Sequence, residues 1–476
     1  MPPAPNPASE PTPSVRPRIP ESRTGRSRPP GPRGHWLVGC LPELLRDILG
    51  FVTECARQYG DCVEVPVGRR RVLLVSHPEI VEELLVRNDD CFIKDFAFRT
   101  TKPVLGNGLL LASGDFWKRQ RHLVQPAFHR DRILPQAGLM VQCAERMLAG
   151  WENGGIVDLH RSMTQLTLEI IARILFGTNV SEEDTSVIGA SLRTVHECIR
   201  IRNSRLVPIP DSVPTPVNLR MLRAARRIEQ VVYRLISERR GRPDHPPDLL
   251  TSLLNARDAS GAPMHDRQLR DEIMNVLMAG HETSTSTLVW LFLLLAQHPD
   301  EERKLHEELD SVLGDRPPTA HDLPRLKLTD WMVSESWRLF PPIWMIGREA
   351  VRPCTLAGFP VPVGTNVFLS QWVLHRDPRY FVDPEMFRPA RWGDGSAAAL
   401  PPFVYLPFGA GPRACVGAPV ARIEMVLLVA TIARRFTVRL TDQTELRPLA
   451  SVTLRPAGPV MVRVLPRNRR DNPPHL

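Results

Sequence analysis

A mainly α-helical domain with a small β region is the fold class this sequence predicts. Three observations predict it. Apolar residues recur at helical spacing along Asp266–Gln297, a long stretch that is almost wholly apolar in its second half. Helical patterns also fill most of the chain from His77 to about Arg240, and return at Pro299–Leu313, Leu328–Leu339 and about Gly417–Arg435. Strand-like runs are short and confined to the surroundings of Gly68, to Arg348–Leu369 and to the C-terminal region.

Taken in order, residues 1–34 have many prolines and no apolar core, so they read as a disordered Pro/Arg-rich leader rather than a signal peptide or import helix. Pro42–Tyr59 is helical in pattern, and Cys62–Pro66 with Arg71–Val75 reads as a β-hairpin. Loop-forming residues interrupt the next helices at Asp89–Gly114 and Pro208–Pro216. The helix over 266–297 must cross the core, because only a Ser/Thr cluster breaks its apolar second half. A Pro-rich irregular stretch leads from Leu369 to Pro407, and strands near Thr437–Leu440 and Ser451–Leu465 complete the β region. No internal repeat is found, so residues 35–466 read as one domain and 467–476 as a basic tail.

Composition narrows the function. Hydrophobic residues make up 42% of the 476 and charged residues 24%, which is ordinary globular usage. The net charge of +9 sits mostly in the tails: six arginines oppose two glutamates in residues 1–34, and four arginines oppose Asp471 in residues 463–476. The body is nearly balanced, so nucleic-acid binding is not expected. The longest apolar runs, Leu288–Ala296 and Met425–Ala433, fall short of the roughly 18–20 residues that cross a bilayer, so no membrane anchor is expected. Eight cysteines, at 40, 55, 62, 91, 143, 198, 354 and 415, include no CxxC pair, which removes the usual signatures of structural zinc and of covalently attached haem. A reduced, cytoplasmic setting follows, with most thiols acting as small buried hydrophobes.

Cys415 has different surroundings. The segment PFGAGPRACVGAP, residues 407–419, packs three glycines and three prolines around it and leads directly into an apolar helix. Glycine is concentrated where backbone takes special dihedrals or approaches a ligand closely. Amides and a helix N-terminus beside the thiol favour its thiolate, and Arg413 adds a cation for an anionic ligand group. Phe408, Gly411, Arg413, Cys415 and Gly417 reproduce the FxxGxRxCxG pattern, and in this the loop resembles the haem-binding loop of cytochromes P450. The resemblance implies the P450 fold, b-type haem with Cys415 as axial ligand of the iron, Phe408 packed beside that ligand, and Arg413 on a haem propionate.

Other segments agree with it. Ala279-GHETS lies in the middle of the long helix, where Gly280 costs about 1 kcal/mol relative to alanine and the Ser/Thr run competes with helical hydrogen bonding. It resembles the family's AGx(D/E)T motif, which implies a locally opened helix, Thr283 hydrogen-bonding dioxygen and Glu282 relaying protons. A zinc-protease HExxH is excluded, because Thr285 stands where the second histidine is needed. Glu335 and Arg338 share a helix face three residues apart, and the family's ExxR implies a buried brace with Arg391 of FRPARW. Trp117 and Arg121, four apart, resemble WxxxR, and with Arg348 they are implied as further propionate partners. His375 and Arg376 of HRDP receive no role.

The implied reaction inserts one atom of O2 into a hydrophobic small molecule such as a terpenoid, fatty acid or polyketide. No flavin or ferredoxin module fits after the last helix, so electrons are expected from a separate ferredoxin or flavodoxin with its reductase, docking near Lys118, Arg119, Arg434 and Arg435. Implied pocket residues are Phe96, Phe98, Val276, Ala279, Ile343, Trp344, Met345, Ile346, Ser451 and Val452. A monomer is expected. Two alternatives differ in chemistry: a peroxide-driven haem-thiolate enzyme and a non-enzymatic haem sensor or carrier, neither of which needs the Glu282–Thr283 pair.

Overall fold

The computed structural model describes residues 28–467 except 69, 152–154, 178–179, 204–208, 212 and 242–247. Most of the leader, residues 1–27, and the tail residues 468–476 therefore lie outside the described residues, as do Pro208 and Ser212 of the break at Pro208–Pro216. Seven helices position the site: α1 (Gly114–Val124), α2 (Leu159–Phe176), α3 (Glu182–Asn203), α4 (Pro216–Arg240), α5 (Asp266–Gln297), α6 (Lys327–Leu339) and α7 (Ala418–Arg435).

Helix α5 is the axis of the molecule. His265 caps it by accepting the Gln268 N–H at 3.1 Å, Asp266 favours its positive end, and Pro299 follows its last turn. It is buried almost continuously from Gln268 to Leu295. Helices α2, α6 and α7 pack around it in one core. Gly280 has a packing reason: a Cβ there would lie 2.9 Å from the Ile171 side chain of α2. Contrary to the expectation of a locally opened helix, Asp266–Gln297 is an uninterrupted α-helix. The hydroxyls of Thr283, Ser284, Thr285 and Thr287 bond within the helix or to a neighbour, so they do not break it.

The first half of α5 carries buried polar groups with a defined task. Asp271, Glu272 and Asn275 accept the N–H groups of Asn107, Leu109 and Leu110 at 2.8, 3.0 and 2.9 Å. The segment Asp89–Gly114, read as a loop, is in fact broken into short helices and pinned to α5 by these bonds. Satisfying buried amides is what makes buried acids tolerable.

The main sheet combines β1 (Cys62–Val67), β2 (Arg70–Val75), β3 (Phe92–Lys94), β4 (Met345–Ala350) and β5 (Asn366–Ser370), in spatial order β1-β2-β5-β4-β3. The β1–β2 hairpin pairs Cys62 with Val75, and β3 pairs antiparallel with β4 so that Lys94 faces Arg348. Residues 28–34, grouped with the leader on composition, lie along β1: Glu64 N–H donates to Pro30 C=O at 2.9 Å. A Pro/Gly-rich segment reads as disorder, yet at a sheet edge its missing donors cost nothing. A second sheet joins Met461–Pro466 to Ile156–Asp158 and Phe436–Leu440. Among the described residues no helix is long and apolar enough to cross a membrane.

Candidate active site

The Cys415 loop is held from three sides. Gly411 has φ +70°, and a Cβ there would fall 2.1 Å from the Leu85 carbonyl oxygen, so only glycine fits. Cys415 N–H donates to Phe408 C=O at 2.9 Å, closing the turn. The Phe408 ring meets Trp337 of α6 edge-on at 4.8 Å, and Trp337 Nε1–H donates to Thr287 of α5 at 3.0 Å. Arg121 of α1 donates to the Ala414 carbonyl at 2.6 Å.

The thiol of Cys415 is exposed to a cleft of about 320 Å³ that it shares with Arg121, Phe128, His129 and Arg130. Protein atoms nonetheless crowd it, and this burial pushes its pKa above the ordinary thiol value. The amides of Gly417 and Ala418 and the Arg121 guanidinium pull the other way. The thiolate-favouring groups expected from the sequence are thus present, but in the protein alone desolvation outweighs them. A cation at the sulfur is what would reverse the balance.

Beside this loop stands a group of cations with too little acid around it. Arg348 is buried on β4 across from Lys94, and Arg413 lies close enough to disfavour the charge on both. Burial and these like charges lower Lys94 to about 7 and Arg348 to about 10. Asp89 is 3.7 Å from Arg413 Nε, too far for a hydrogen bond. The Nε–H groups of both Arg348 and Arg413 are buried with no partner among the described residues. Like charges opposed across a ladder destabilise a fold unless an anion sits between them. Trp117 lies under the Arg413 guanidinium, 4.5 Å from ring centre to Cζ, and so supports it.

On the opposite side, α5 presents Val276, Ala279 and Thr283, one turn apart, as partly or fully exposed positions inside an otherwise buried helix. Thr283 Oγ1–H donates to the Ala279 carbonyl at 2.8 Å. The Glu282 carboxylate lies 3.2 Å from His196 Nδ1 on α3. The next residue, Ser284, donates to Glu424 of α7 at 2.8 Å in the core, and burial raises that carboxyl to about 8.

Glu335, Arg338 and Arg391 come together. Glu335 Oε1 lies 2.8 Å from Arg338 and 2.9 Å from Arg391, with the Glu335 and Arg338 side chains fully buried. Trp392 Nε1–H and Arg388 N–H complete the carboxylate's shell at 2.9 and 3.0 Å. His375 and Arg376 now have positions with consequences. The His375 carbonyl accepts from Arg338 at 3.0 Å, while its Nε2 accepts the Leu406 N–H at 3.1 Å, so this one residue ties the brace to the Cys415 loop. Burial holds His375 down to about 3, keeping Nε2 an acceptor. Arg376 stacks on Trp372 at 3.4 Å and donates to the Leu339 carbonyl at the end of α6.

The expected pocket residues divide. Ile346 and Arg348 share the face of β4 that looks toward the Cys415 loop, and Ile346 packs beside Gly409. Met345 is on the other face, against Ile48 and Trp372, and Trp344 is buried with Leu49 and Leu454. Trp344 acts at second hand: its Nε1–H donates to the Ser451 carbonyl at 2.9 Å and holds the Ser451–Val452 turn. Phe96 stacks under Arg70 at 4.1 Å, and the Phe98 ring lies 5.2 Å from Lys94 Nζ. Ile343 is half-buried in the bend before the strand, and Val276 and Val452 pack on the main core. Lys94 escaped the sequence reading, since nothing local marks it.

The expected docking cations are already engaged. Lys118 pairs with Asp115 at 3.1 Å, Arg119 with Asp258 at 2.7 Å, and Arg434 and Arg435 both with Glu145 at 2.7 Å.

A thiol at a helix start, a cation group short of anions and a distal helix face of small and hydroxyl side chains define a haem-thiolate protein. The comparisons agree: the cytochrome P450 family model matches residues 29–464. Cyclooctat-9-en-7-ol 5-monooxygenase of Streptomyces melanosporofaciens is 36% identical over 88% of this chain and 89% of its own. Pentalenene oxygenase of Streptomyces avermitilis is 32% identical over 88% and 93%. The retinoic acid-bound structure of cyanobacterial CYP120A1 superposes with a TM-score of 0.82 at 27% identity, covering 92% of this chain and 99% of that one. The chain belongs to the cytochrome P450 family, and it is a haem-binding monooxygenase. The residues fit the cofactor: the unpartnered N–H groups of Arg348 and Arg413 beside Lys94 call for carboxylates, which haem carries as propionates.

Proposed function

We propose that the enzyme inserts one oxygen atom from O2 into a terpenoid-sized hydrocarbon skeleton, with electrons supplied by a separate ferredoxin or flavodoxin and its reductase. The observation that carries the substrate reading is the Val276–Ala279–Thr283 face of α5, apolar but for one hydroxyl and exposed within a buried helix. Such a face offers shape and no charge, which suits a substrate that is recognised by burial. Relatives named for cyclooctat-9-en-7-ol and pentalenene, both terpenoids, support the class.

Haem, when bound, supplies oxygen activation and transfer to carbon. The chain's own groups bind it and manage protons. Cys415 would hold the iron through its thiolate, whose charge the Gly417 and Ala418 amides and Arg121 support. Lys94, Arg121, Arg348 and Arg413 pair with the propionates, and Trp117 keeps Arg413 in place. Thr283 holds a hydroxyl proton on the distal face, and Glu282, its neighbour in sequence, resupplies it.

The electron donor docks over His129–Arg132 in this reading, because the cleft reaching Cys415 opens there and Arg130 and Arg132 are exposed beside it. Arg130→Glu with Arg132→Glu should slow reduction by an acidic ferredoxin at low salt, and unchanged rates would move the docking face elsewhere.

The substrate class is tested by titrating the haem-loaded enzyme with cyclooctat-9-en-7-ol, pentalenene, retinoic acid and long-chain fatty acids. Terpenoids should shift the haem absorbance and give oxygenated products with NADPH, ferredoxin and reductase. Turnover of fatty acids alone would overturn the reading.

A further inference from the structure

Glu282 has a partner that the acid–alcohol pair does not need. His196, on α3, places Nδ1 3.2 Å from Glu282 Oε2, with each side chain about 15% exposed or less. Its ring lies parallel to His281, 5.6 Å away at 6°, and its Nε2 abuts Met278 Sδ. The imidazole is thus fixed by contacts on three residues of one face of α5: Met278, His281 and Glu282. A side chain held this firmly against a carboxylate is either a strut or a proton carrier.

The surroundings favour proton exchange at this one pair. His281 is fully enclosed, and burial lowers it to about 4, so it stays neutral and offers His196 only its ring face. Arg193, on α3 itself, acts on His281 and opposes its charge. From α2, His160 feels both Glu282 and Arg455, and burial lowers it too. On the α4 side the charges are spoken for, with Arg220 on Glu197 and Arg234 on Asp184. A hydrogen bond to the Glu282 carboxylate requires a proton on Nδ1, and the 3.2 Å approach puts that proton within reach of Oε2.

We propose that His196 is the positioning residue of the proton supply: it orients Glu282 and reloads it, so that α3 takes part in the oxygenation cycle. The inference rests on Glu282 acting as the distal acid. In the step, His196 acts as the imidazolium and passes its Nδ1 proton to Glu282 Oε2, leaving a neutral imidazole and a carboxylic acid. The carboxyl then gives its proton to the Thr283 side, and His196 regains one from solvent. Charge and protons balance without another reactant.

The test compares His196→Ala, His196→Asn and Glu282→Gln in the haem-loaded enzyme. Asparagine retains a donor near the Nδ1 position but carries no exchangeable charge. NADPH-driven oxygen consumption and peroxide release are followed from pH 5.5 to 8.5 with a plant ferredoxin and its reductase, in H2O and D2O. Haem content and the carbon monoxide spectrum report the fold. Both His196 variants should slow oxygen consumption by about tenfold, as outer-shell partners typically do. They should also flatten the pH profile and enlarge the solvent isotope effect. A wild-type profile in His196→Asn, with Glu282→Gln impaired, would reduce His196 to a strut and overturn the proposal alone. Wild-type behaviour in Glu282→Gln would overturn the distal-acid reading, and the proposal with it.

Discussion

Glu335 and Arg338 stand 2.8 Å apart with neither side chain reaching solvent, and every remaining acceptor and donor of the pair is taken up by Arg391, Trp392 or backbone from the 375–388 region. Removing one partner leaves the other buried and charged. Glu335→Gln should therefore cost on the order of 3–5 kcal/mol. Thermal unfolding and haem content of the purified variant check this, and both should fall together because the brace also positions the Cys415 loop through His375.

Lys94 gives a pH dependence with a definite sign. Its folded value of about 7 lies below that of an unfolded lysine, near 10.4, so between those limits the unfolded chain binds more protons. Stability of the haem-free fold should rise as pH increases from about 7 toward 10. Below pH 7 both states are protonated and the penalty is complete. Propionates beside Lys94 restore its proton, so the haem-loaded enzyme should lack the slope. Melting temperatures of both forms across that range, with Lys94→Met as control, decide the matter.

Thr283→Ala removes the one hydroxyl on the distal face without touching the core, since its only described bond is to Ala279 within the helix. Peroxide released per product should increase by about an order of magnitude, at unchanged haem content. Parallel assays of NADPH, peroxide and product measure it.

Ala279→Leu projects a branched side chain from a position that is exposed in the middle of α5. Helix stability should change little, because leucine is a good helix former. Absorbance shifts caused by bulky terpenoids should be lost while small ligands such as imidazole still bind, as spectral titration would record.

How much of this could be seen in the sequence depended on distance along the chain. The Cys415 loop and the Glu335–Arg338 spacing were legible because each motif is local. His375 was not, since its use lies in contacts to Arg338 and Leu406 made by backbone and ring. Lys94 was hidden for a similar reason: only the pairing of β3 with β4 sets it opposite Arg348. Strand alternation along Met345–Ala350 was not legible either, and it puts Met345 and Ile346 on opposite faces of the sheet. The weak point inferred at Gly280 proved to be a close contact with Ile171.

The crowding of Lys94, Arg348 and Arg413 bears on the life of the chain before it ever meets a substrate. Haem binding would stabilise the folded chain, since propionates that anchor the cofactor would also offset the repulsion inside the protein. A cell short of haem would then hold a less stable apoenzyme, more often open to proteases. The supply of the cofactor thereby sets the amount of the protein as well as its activity.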